Sequence, residues 1–412
     1  MRRVKFAVVG AGNRGTVYAD FVKRYHGQVV AVADPVDWRR TRLAHAHRIP
    51  SDNIFADWHE MAQRDRFADA VIIATPDRLH LEPALAFAQR GYHMMLEKPM
   101  APTEHDCQRI VQAVLDANII FAVCHVLRYT DYTRKFDQLL DSGLIGDVVS
   151  VQRIEPVGYW HFAHSFVRGS YRREDQSSSM LLAKSCHDID WICHMMGGPC
   201  LAVSSFGALK HYRKENQPEG AAKRCLDCPI EPDCPFSARK IYLGRVAQGR
   251  TGWPVNGLVE NVTPESVTEA LRTGPYGRCV YACDNDVCDN QVVDMLFEGG
   301  RTANFMVTGF AESTGRRTSV FGTTGELRGD GNTIRHHDFL TDHTEIIDTR
   351  SPDATALGGH GGGDGMLVEH VIQAVATNDR GKLLTGPRET LESHRVVFAA
   401  ERARRHGCVV AL

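Results

Sequence analysis

The chain has 412 residues, 43% of them hydrophobic and 24% charged, and a formal net charge of −2. This length exceeds one ordinary core and predicts two globular domains. The charge gives no electrostatic reason to expect a nucleic acid or a membrane surface as partner, and no apolar run reaches the roughly 18 to 20 residues that span a bilayer. We therefore expect a cytoplasmic protein without a cleavable leader.

The chain opens on a buried strand that runs into a glycine turn. Residues 4–9 are the β-branched and aromatic run typical of an interior parallel strand, and residues 10–15, GAGNRG, have the spacing G-x-G-x-x-G. Such a turn places the pyrophosphate of a dinucleotide at the N-terminus of the following helix. The predicted phosphate-binding residues are Gly10, Gly12, Asn13, Arg14 and Gly15.

The carboxylate at the end of the second predicted strand indicates which dinucleotide binds. Residues 28–33 lead into Asp34, about twenty residues beyond the turn, where a carboxylate accepts hydrogen bonds from an adenosine ribose 2′-hydroxyl. This favours NAD over NADP. Arg39 and Arg40 follow closely. They could hold a 2′-phosphate instead, or they could be solvated arginines on a helix.

Strands and helices then alternate along the chain. Strands are predicted at residues 69–75, 92–96 and 119–125, with helices between them at 79–90 and 104–117. The alternation predicts an α/β domain with a doubly wound parallel sheet, whose ligands lie at the carboxyl ends of the strands. The candidate cofactor-binding residues at those ends are Thr75, Pro76, His80, Glu97 and Lys98.

The segments GAGNRG, TPDRLH and EKP resemble the glucose-fructose oxidoreductase, inositol dehydrogenase and MocA family of nicotinamide enzymes. The resemblance extends over nearly the whole chain. It implies that Lys98, from EKP, contacts the substrate hydroxyls and the nicotinamide ribose. It also implies an α+β second domain with an open, mostly antiparallel sheet, one face of which meets the nicotinamide. The other face often packs against another subunit, so a homodimer or homotetramer is expected.

The pattern changes after residue 127, so we predict a Rossmann domain over 1–127 and a substrate-binding domain over 128–412. Residues 159–173 are dense in histidine, arginine and aromatic residues. Aromatic rings suit the C–H faces of sugars, and guanidinium groups suit anionic oxygens. The alternative is a polar surface loop. The predicted contacts to a sugar carrying a carboxylate, sulfonate or phosphate are His161, His164, Arg168 and Arg172, with Tyr132 on the preceding helix.

An amphipathic helix follows with the sequence MLLAKSCHDIDWICHMM. It resembles the catalytic helix of the family, in which an aspartate precedes a histidine by four residues. His187 and Asp190 match that frame, but Ala183 replaces the aspartate and Lys184 follows it. Asp188 or Asp190 could orient His187 instead. His187 is predicted to be the general base, since imidazole titrates near working pH, and Lys184 and Asp190 are predicted to contact substrate.

A cysteine-containing insert is expected at about residues 210–288. Cys225, Cys228 and Cys234 supply three thiolates of a tetrahedral site, and Cys279 could be the fourth. We predict one structural zinc there; an iron–sulfur cluster or unligated thiols are the alternatives.

The last part of the chain returns to strands and then to helices. Strands at 291–297, 302–308 and 317–321 alternate as in an antiparallel sheet with one covered face. A glycine loop at residues 357–365 then places His360 and Asp364, and His360 is predicted to contact substrate. Two helices are predicted to close the chain.

Three functions remain open from the sequence. The first is NAD-dependent hydride transfer at a secondary hydroxyl of a sugar, sugar derivative or cyclitol, in which His187 removes the hydroxyl proton and Lys98 stabilises the alkoxide. The second is a redox-neutral glycosidase, in which transient oxidation at C3 acidifies the C2 proton, the aglycone leaves by elimination, and water adds before the hydride returns. Its substrate could be an anionic glycoside such as a sulfoquinovoside. The third is a non-catalytic NAD sensor.

Overall fold

The computed structural model describes residues 3–312, 315–350 and 360–412. Within these residues the chain forms one sheet of six strands and one of nine. No described helix combines the length and the apolar composition that crossing a bilayer requires. The predicted fold class, a doubly wound parallel sheet followed by a mostly antiparallel sheet, is confirmed.

The first sheet is entirely parallel, with the strand order β3-β2-β1-β4-β5-β6. Its strands are β1 Lys5–Val9, β2 Gln28–Ala33, β3 Ile54–Phe55, β4 Ala70–Ile73, β5 His93–Leu96 and β6 Phe121–Val123. Its helices are α1 Asn13–Arg24, α2 Asp37–His47, α3 Trp58–Gln63, α4 Leu81–Gln89 and α5 Glu104–Asp116. Both faces are covered: Phe6 and Val8 pack on one side, and Ala7 and Val9 on the other. The continuous apolar runs of these strands follow from that double burial.

The second sheet has the strand order β14-β13-β12-β11-β7-β10-β9-β8-β15. Its strands are β7 Val148–Gly158, β8 Cys200–Ala208, β9 Asn290–Phe297, β10 Thr302–Ala311, β11 Arg317–Gly322, β12 Gly325–Gly329, β13 Thr333–Asp338, β14 His343–Asp348 and β15 Val410–Ala411. Strands β7 and β10 are parallel, and the other neighbours are antiparallel.

Some of the helices from residue 131 onwards pack on this sheet, and some contact helices of the first domain. They are α6 Asp131–Asp141, α7 Tyr159–Phe162, α8 Met180–Met196, α9 Gly244–Ala247, α10 Pro264–Thr273, α11 Gly363–Thr377 and α12 Pro387–His406. Helix α8 packs on β7 and β10, whereas α11 returns to α1, and α12 contacts both α5 and α8. Residues 357–359 of the predicted glycine loop lie outside the described residues.

Candidate functional site

The glycine turn between β1 and α1 has the shape that a dinucleotide pyrophosphate requires. Gly10 has φ +95°, and a Cβ there would lie 2.6 Å from the carbonyl oxygen of Ala74. A Cβ on Gly15 would lie 1.9 Å from the carbonyl oxygen of Gly10, whereas the space around Gly12 is open. The chain can therefore turn tightly and pack α1 on β1, while Gly12 leaves room for phosphate.

A cavity of about 1280 Å³ extends from this turn along the carboxyl ends of the strands to α8. The predicted cofactor residues that line its nucleotide half are Gly10, Gly12, Asn13, Arg14, Asp34, Thr75 and Pro76. His80, by contrast, is wholly buried, and its ring nitrogens contact the carbonyl oxygens of Pro99 and Thr75, each at 2.9 Å. His80 therefore joins two strand-end loops instead of facing the cofactor.

Asp34 is held both by the glycine turn and by the turn that follows β2. Its carboxylate accepts hydrogen bonds from the main-chain N–H groups of Ala11 at 2.7 Å and Val36 at 2.8 Å. Each carboxylate oxygen keeps a further lone pair for a ribose hydroxyl. Arg40 is paired with Asp37, but Arg39 lines the cavity beside Asp34.

Arg14, a predicted phosphate contact that lines the cavity, also pairs with two carboxylates. Its guanidinium group donates to Glu97 at 2.6 Å and to Asp364, on α11, at 2.5 Å. The Glu97 carboxylate also accepts from the Tyr18 hydroxyl at 3.0 Å and from the main-chain N–H of Lys98 at 2.5 Å. Arg14 and Glu97 therefore connect the nucleotide turn to the strand end that carries Lys98.

The substrate half of the cavity lies where β5 meets α8. The predicted residues that line it are Lys98, His161, His164, Lys184, His187 and His360. The Lys98 ammonium donates to the carbonyl oxygen of Ala183 at 2.6 Å. This contact is made at the position where the family helix was expected to carry an aspartate.

His187 is held by an arginine that the sequence analysis missed. The Nη2 of Arg316 lies 2.7 Å from the Nε2 of His187, and Arg316 also contacts Asp188. Asp188 is paired with Arg153 as well, at 2.8 Å. Burial lowers the pKa of His187 well below its usual value; Asp188 opposes this shift, and Arg316 and Lys98 add to it.

The sequence analysis also missed Glu155, which contacts two of the positive side chains near His187. Its carboxylate contacts the Lys184 ammonium at 2.9 Å and the Arg316 guanidinium at 2.8 Å. Arg153 and Glu155 occupy inward positions of β7 between the buried Val151 and Val157. Charged residues at core-facing positions of an alternating strand are the signal that could have identified them.

Two histidines of the aromatic segment 159–173, His161 and His164, line the cavity as uncharged rings. His164 contacts the Tyr242 hydroxyl at 2.9 Å and stacks on Tyr276, and burial lowers its pKa to about 4. Burial, together with Lys184 and neighbouring groups, lowers the pKa of His161 to about 2. These uncharged rings suit the C–H faces of a sugar.

His360, three residues before the start of α11, lines the cavity. Its Nδ1 lies 3.1 Å from the Asp364 carboxylate, and its ring centroid lies 6.2 Å from that of His187. The predicted glycine-loop residue therefore lies close to α8 in the same cavity.

Four predicted substrate contacts lie away from this cavity. Tyr132 packs in the core against Phe136. Asp190 forms a buried bidentate ion pair with Arg128, at 2.7 and 2.8 Å. The prediction that these two residues line the sugar pocket is corrected by their burial in the core.

The two predicted arginines of the aromatic segment, Arg168 and Arg172, do not line this cavity either. Arg168 is buried and donates to the carbonyl oxygens of Arg278 and Phe236, each at 2.8 Å. Arg172 pairs with Asp284 at the surface. Residues 163–168 form a π-helical turn, which has more residues per turn than an α-helix, so Arg168 no longer shares a face with His161.

The four predicted zinc ligands of the cysteine insert lie around one small cavity. Cys225, Cys228, Cys234 and Cys279 line a separate cavity of about 190 Å³. Yet no group of three or more His, Cys, Asp or Glu side chains in the described parts of the chain is placed to hold a metal ion. Burial raises the pKa of the Cys234 and Cys279 thiols.

The insert is held by packing of its own. Its buried apolar residues that join the core of the second domain include Tyr212, Phe236, Tyr242, Leu271 and Val280. A metal site at the predicted zinc ligands is therefore unsupported by the described residues, and the segment has apolar packing of its own.

Comparisons with known proteins identify the family. A family model described as the NAD-binding Rossmann fold of an oxidoreductase family matches residues 4–125. A second model, described as the C-terminal alpha/beta domain of that oxidoreductase family, matches residues 137–412. The chain belongs to the Gfo/Idh/MocA oxidoreductase family. Its first domain is the NAD-binding Rossmann domain of that family, as the glycine turn and Asp34 predict.

Individual relatives are more distant than the family match. The YteT protein of Bacillus subtilis is 23% identical over 77% of this chain and 75% of its own length. The 2,7-anhydro-N-acetylneuraminate hydratase of Mediterraneibacter gnavus is 28% identical over 48% of this chain. The chain spans about half the length of that hydratase.

Solved structures agree with the fold of this family member over its whole length. Levoglucosan dehydrogenase in complex with NADH and L-sorbose superposes with a TM-score of 0.74 at 17% identity, covering 100% of this chain and 99% of that one. An oxidoreductase from Agrobacterium radiobacter with NAD+, L-tartaric acid and magnesium gives 0.72 at 15% identity, covering 99% of this chain and 98% of that one. At these identities the likeness shows the fold alone.

Proposed function

We propose that the protein transfers a hydride between NAD and a carbon bearing a secondary hydroxyl in a sugar, a sugar derivative or a cyclitol. The observation that carries this proposal is the position of Lys98, whose side chain lines one cavity with His161, His164, His187, His360 and the dinucleotide turn. Bound NAD supplies the hydride acceptor or donor. Lys98 stabilises the alkoxide that develops as the hydroxyl proton leaves, and a histidine takes that proton.

The charge balance of the site supports a substrate with an anionic group. Beside α8, the three positive side chains that pair with Glu155 and Asp188 outnumber those two carboxylates. The three are Lys184, Arg153 and Arg316, and Lys98 adds a fourth positive charge. We infer that a carboxylate, sulfonate or phosphate on the sugar would find an excess of positive charge here.

A redox-neutral elimination is the second candidate. Two hydratases of 2,7-anhydro-N-acetylneuraminate, from Mediterraneibacter gnavus and Escherichia coli, are among the relatives of the chain. Elimination after transient oxidation needs a base for the acidified carbon and an acid for the leaving group. His161 and His360 line the cavity and offer more than one imidazole for these roles.

One assay decides between the two candidates. Purified protein with NAD is incubated with a panel of free sugars, cyclitols and aryl glycosides, with and without anionic groups. A dehydrogenase raises the absorbance of reduced nicotinamide in proportion to substrate consumed. A redox-neutral enzyme releases aglycone without net reduction and exchanges the C3 hydrogen. Turnover of neither kind across the panel would contradict both.

We also propose that the open face of the second sheet joins subunits into a homodimer or homotetramer. On this face Met306 of β10 pairs with Ile154 of β7 and Val292 of β9, and Val292 pairs with Phe206 of β8. Phe206 is 67% exposed and Met306 36% exposed. An apolar row across four strands is typical of a protein interface.

A further inference from the structure

The usual partner of a catalytic histidine is missing from α8. Ala183 stands four residues before His187, and its carbonyl oxygen is occupied by Lys98. The neighbouring Asp188 is engaged by two guanidinium groups, with Arg153 at 2.8 Å and Arg316 at 2.6 Å. Asp188 therefore makes its two shortest contacts with arginine, and its contact with His187, at 3.3 Å, is longer.

The contact with Arg316 also determines the protonation of His187. A guanidinium N–H can only donate, so the Nε2 of His187, at 2.7 Å, must be the acceptor. The neutral ring then carries its proton on Nδ1, which has no hydrogen-bond partner among the described residues. The 3.3 Å approach of Nε2 to Asp188 is longer, and a protonated Nε2 would oppose the arginine N–H. Neither nitrogen of His187 is free to accept a proton.

A histidine–aspartate pair is present elsewhere in the cavity. His360 directs Nδ1 to the Asp364 carboxylate at 3.1 Å, and Asp364 also accepts from Arg14 at 2.5 Å. Burial alone raises the pKa of Asp364, but the hydrogen bond from His360 and the charge of Arg14 lower it overall. An ionised Asp364 keeps the proton of neutral His360 on Nδ1 and leaves the lone pair on Nε2.

Two further features fit a working residue. The His360 side chain is 35% exposed, so a substrate in the cavity can reach it. Its backbone has φ +56°, a left-handed conformation that costs energy for a residue with a side chain. The fold retains that conformation where it places an imidazole 6.2 Å from the ring of His187.

We propose that His360, oriented by Asp364, is the catalytic base of the site, and that His187 is a neutral positioning residue held by Arg316. This inference rests on the proposed hydride transfer. The O–H bond of the substrate breaks, its proton forms an N–H bond with Nε2 of His360, and the oxygen electron pair forms the carbonyl. The hydride leaves the same carbon for NAD+, and the reverse reaction returns the proton from His360.

Matched variants separate the two histidines. His360→Asn keeps an amide N–H for Asp364 but removes Nε2, and His187→Gln keeps an acceptor for Arg316 but cannot act as a base. We expect His360→Asn to lower kcat by roughly 10² to 10⁴-fold, with unchanged NAD affinity. His187→Gln should lose much less. If His187→Gln loses more than His360→Asn, the assignment is overturned.

A second measurement needs no turnover. Diethylpyrocarbonate acylates accessible, unprotonated imidazole nitrogens, and peptide mass mapping locates the modified residue. We expect His360 to be modified quickly and His187 slowly, with Asp364→Asn changing the rate at His360. Modification of His187 with His360 spared would overturn the proposal, whatever substrate the protein uses. Failure of the hydride-transfer proposal would instead appear as absent turnover in the wild-type protein with this mapping intact.

Discussion

The Lys98 ammonium donates a hydrogen bond to the carbonyl oxygen of Ala183 at 2.6 Å. The donor lies at the end of β5 in the first domain, and the acceptor lies on α8 in the second. A charged donor makes a stronger hydrogen bond than a neutral one, so this contact helps to hold the two domains in register. The position of Lys98 therefore depends on the packing of α8 against the nucleotide domain.

Replacing Lys98 by methionine should remove the charge that stabilises the developing alkoxide. We expect kcat to fall roughly 10² to 10³-fold, the scale seen when one oxyanion-stabilising group is lost. NAD affinity should change little, because the glycine turn and Asp34 remain. Single-turnover measurements with a deuterated substrate check this. A Lys98→Met enzyme that turned over at the parental rate would contradict both proposed reactions.

Replacing Lys184 by methionine should reveal an anionic substrate group. Lys184 lines the cavity and is paired with Glu155, so its loss lowers the positive charge near the sugar. We expect KM for an anionic substrate to rise about tenfold, corresponding to about 1.4 kcal/mol, whereas KM for a neutral analogue of the same sugar stays constant. Equal effects on both substrates would argue against an anion contact.

Asp34 should make the protein prefer NAD to NADP, because its carboxylate accepts from a 2′-hydroxyl and repels a 2′-phosphate. Asp34→Asn keeps an oxygen acceptor for the turn but removes the charge. The ratio of NAD to NADP affinity should fall about tenfold or more, since a hydrogen bond to a charged group contributes about 1.5 to 3 kcal/mol. Fluorescence titration measures both affinities. Arg40→Ala is the matched control, because Arg40 is paired with Asp37. Tighter NADP binding by the wild type would transfer the role to Arg39.

The buried pair of Arg128 and Asp190 should stabilise the fold, not the reaction. Arg128→Met leaves the Asp190 carboxylate buried without its partner and should cost about 3 to 5 kcal/mol in the free energy of unfolding. Arg128→Met combined with Asp190→Leu should recover most of that loss. Urea unfolding of the three proteins provides the values. Equal stability of the single and double variants would show that the pair is not coupled.

The same pair predicts a pH dependence. Burial alone raises the pKa of Asp190, but Arg128 and its hydrogen bonds lower it overall. Stability from a lowered carboxyl pKa is present above the unfolded value, about 3.9, and is lost as the pH falls through the lower folded value. The stability of the wild type relative to the double variant should therefore be constant near neutral pH and decline below about pH 4.

A charge on the open sheet face should separate the proposed subunits. Met306→Glu places a carboxylate in the apolar row beside Ile154 and Val292, where burial in an interface would be costly. We expect the wild type to be a dimer or tetramer and the variant to be a monomer by light scattering. Leu340→Glu is the control, because Leu340 is 91% exposed in the turn after β13. A wild-type monomer would contradict the interface.

Local patterns were enough to predict the fold and the nucleotide site. The spacing of Gly10, Gly12 and Gly15 reflects contacts within one turn, and the apolar runs of β1, β4 and β5 reflect burial on both faces of a sheet. Lys98 was predicted because it ends a strand, and strand ends in a parallel sheet share one edge. Such features depend on neighbours close in sequence.

Tertiary structure alone decided which charged residues of the site pair with one another. Arg14 pairs with Asp364, and Arg316 pairs with Asp188, although these partners are far apart in sequence. A charged side chain takes whichever opposite charge folding brings within about 4 Å, because an unpaired buried charge is costly. The sequence thus determined which chemical groups this family member carries, whereas the packing of α8, β11 and α11 decided which histidine keeps a free nitrogen.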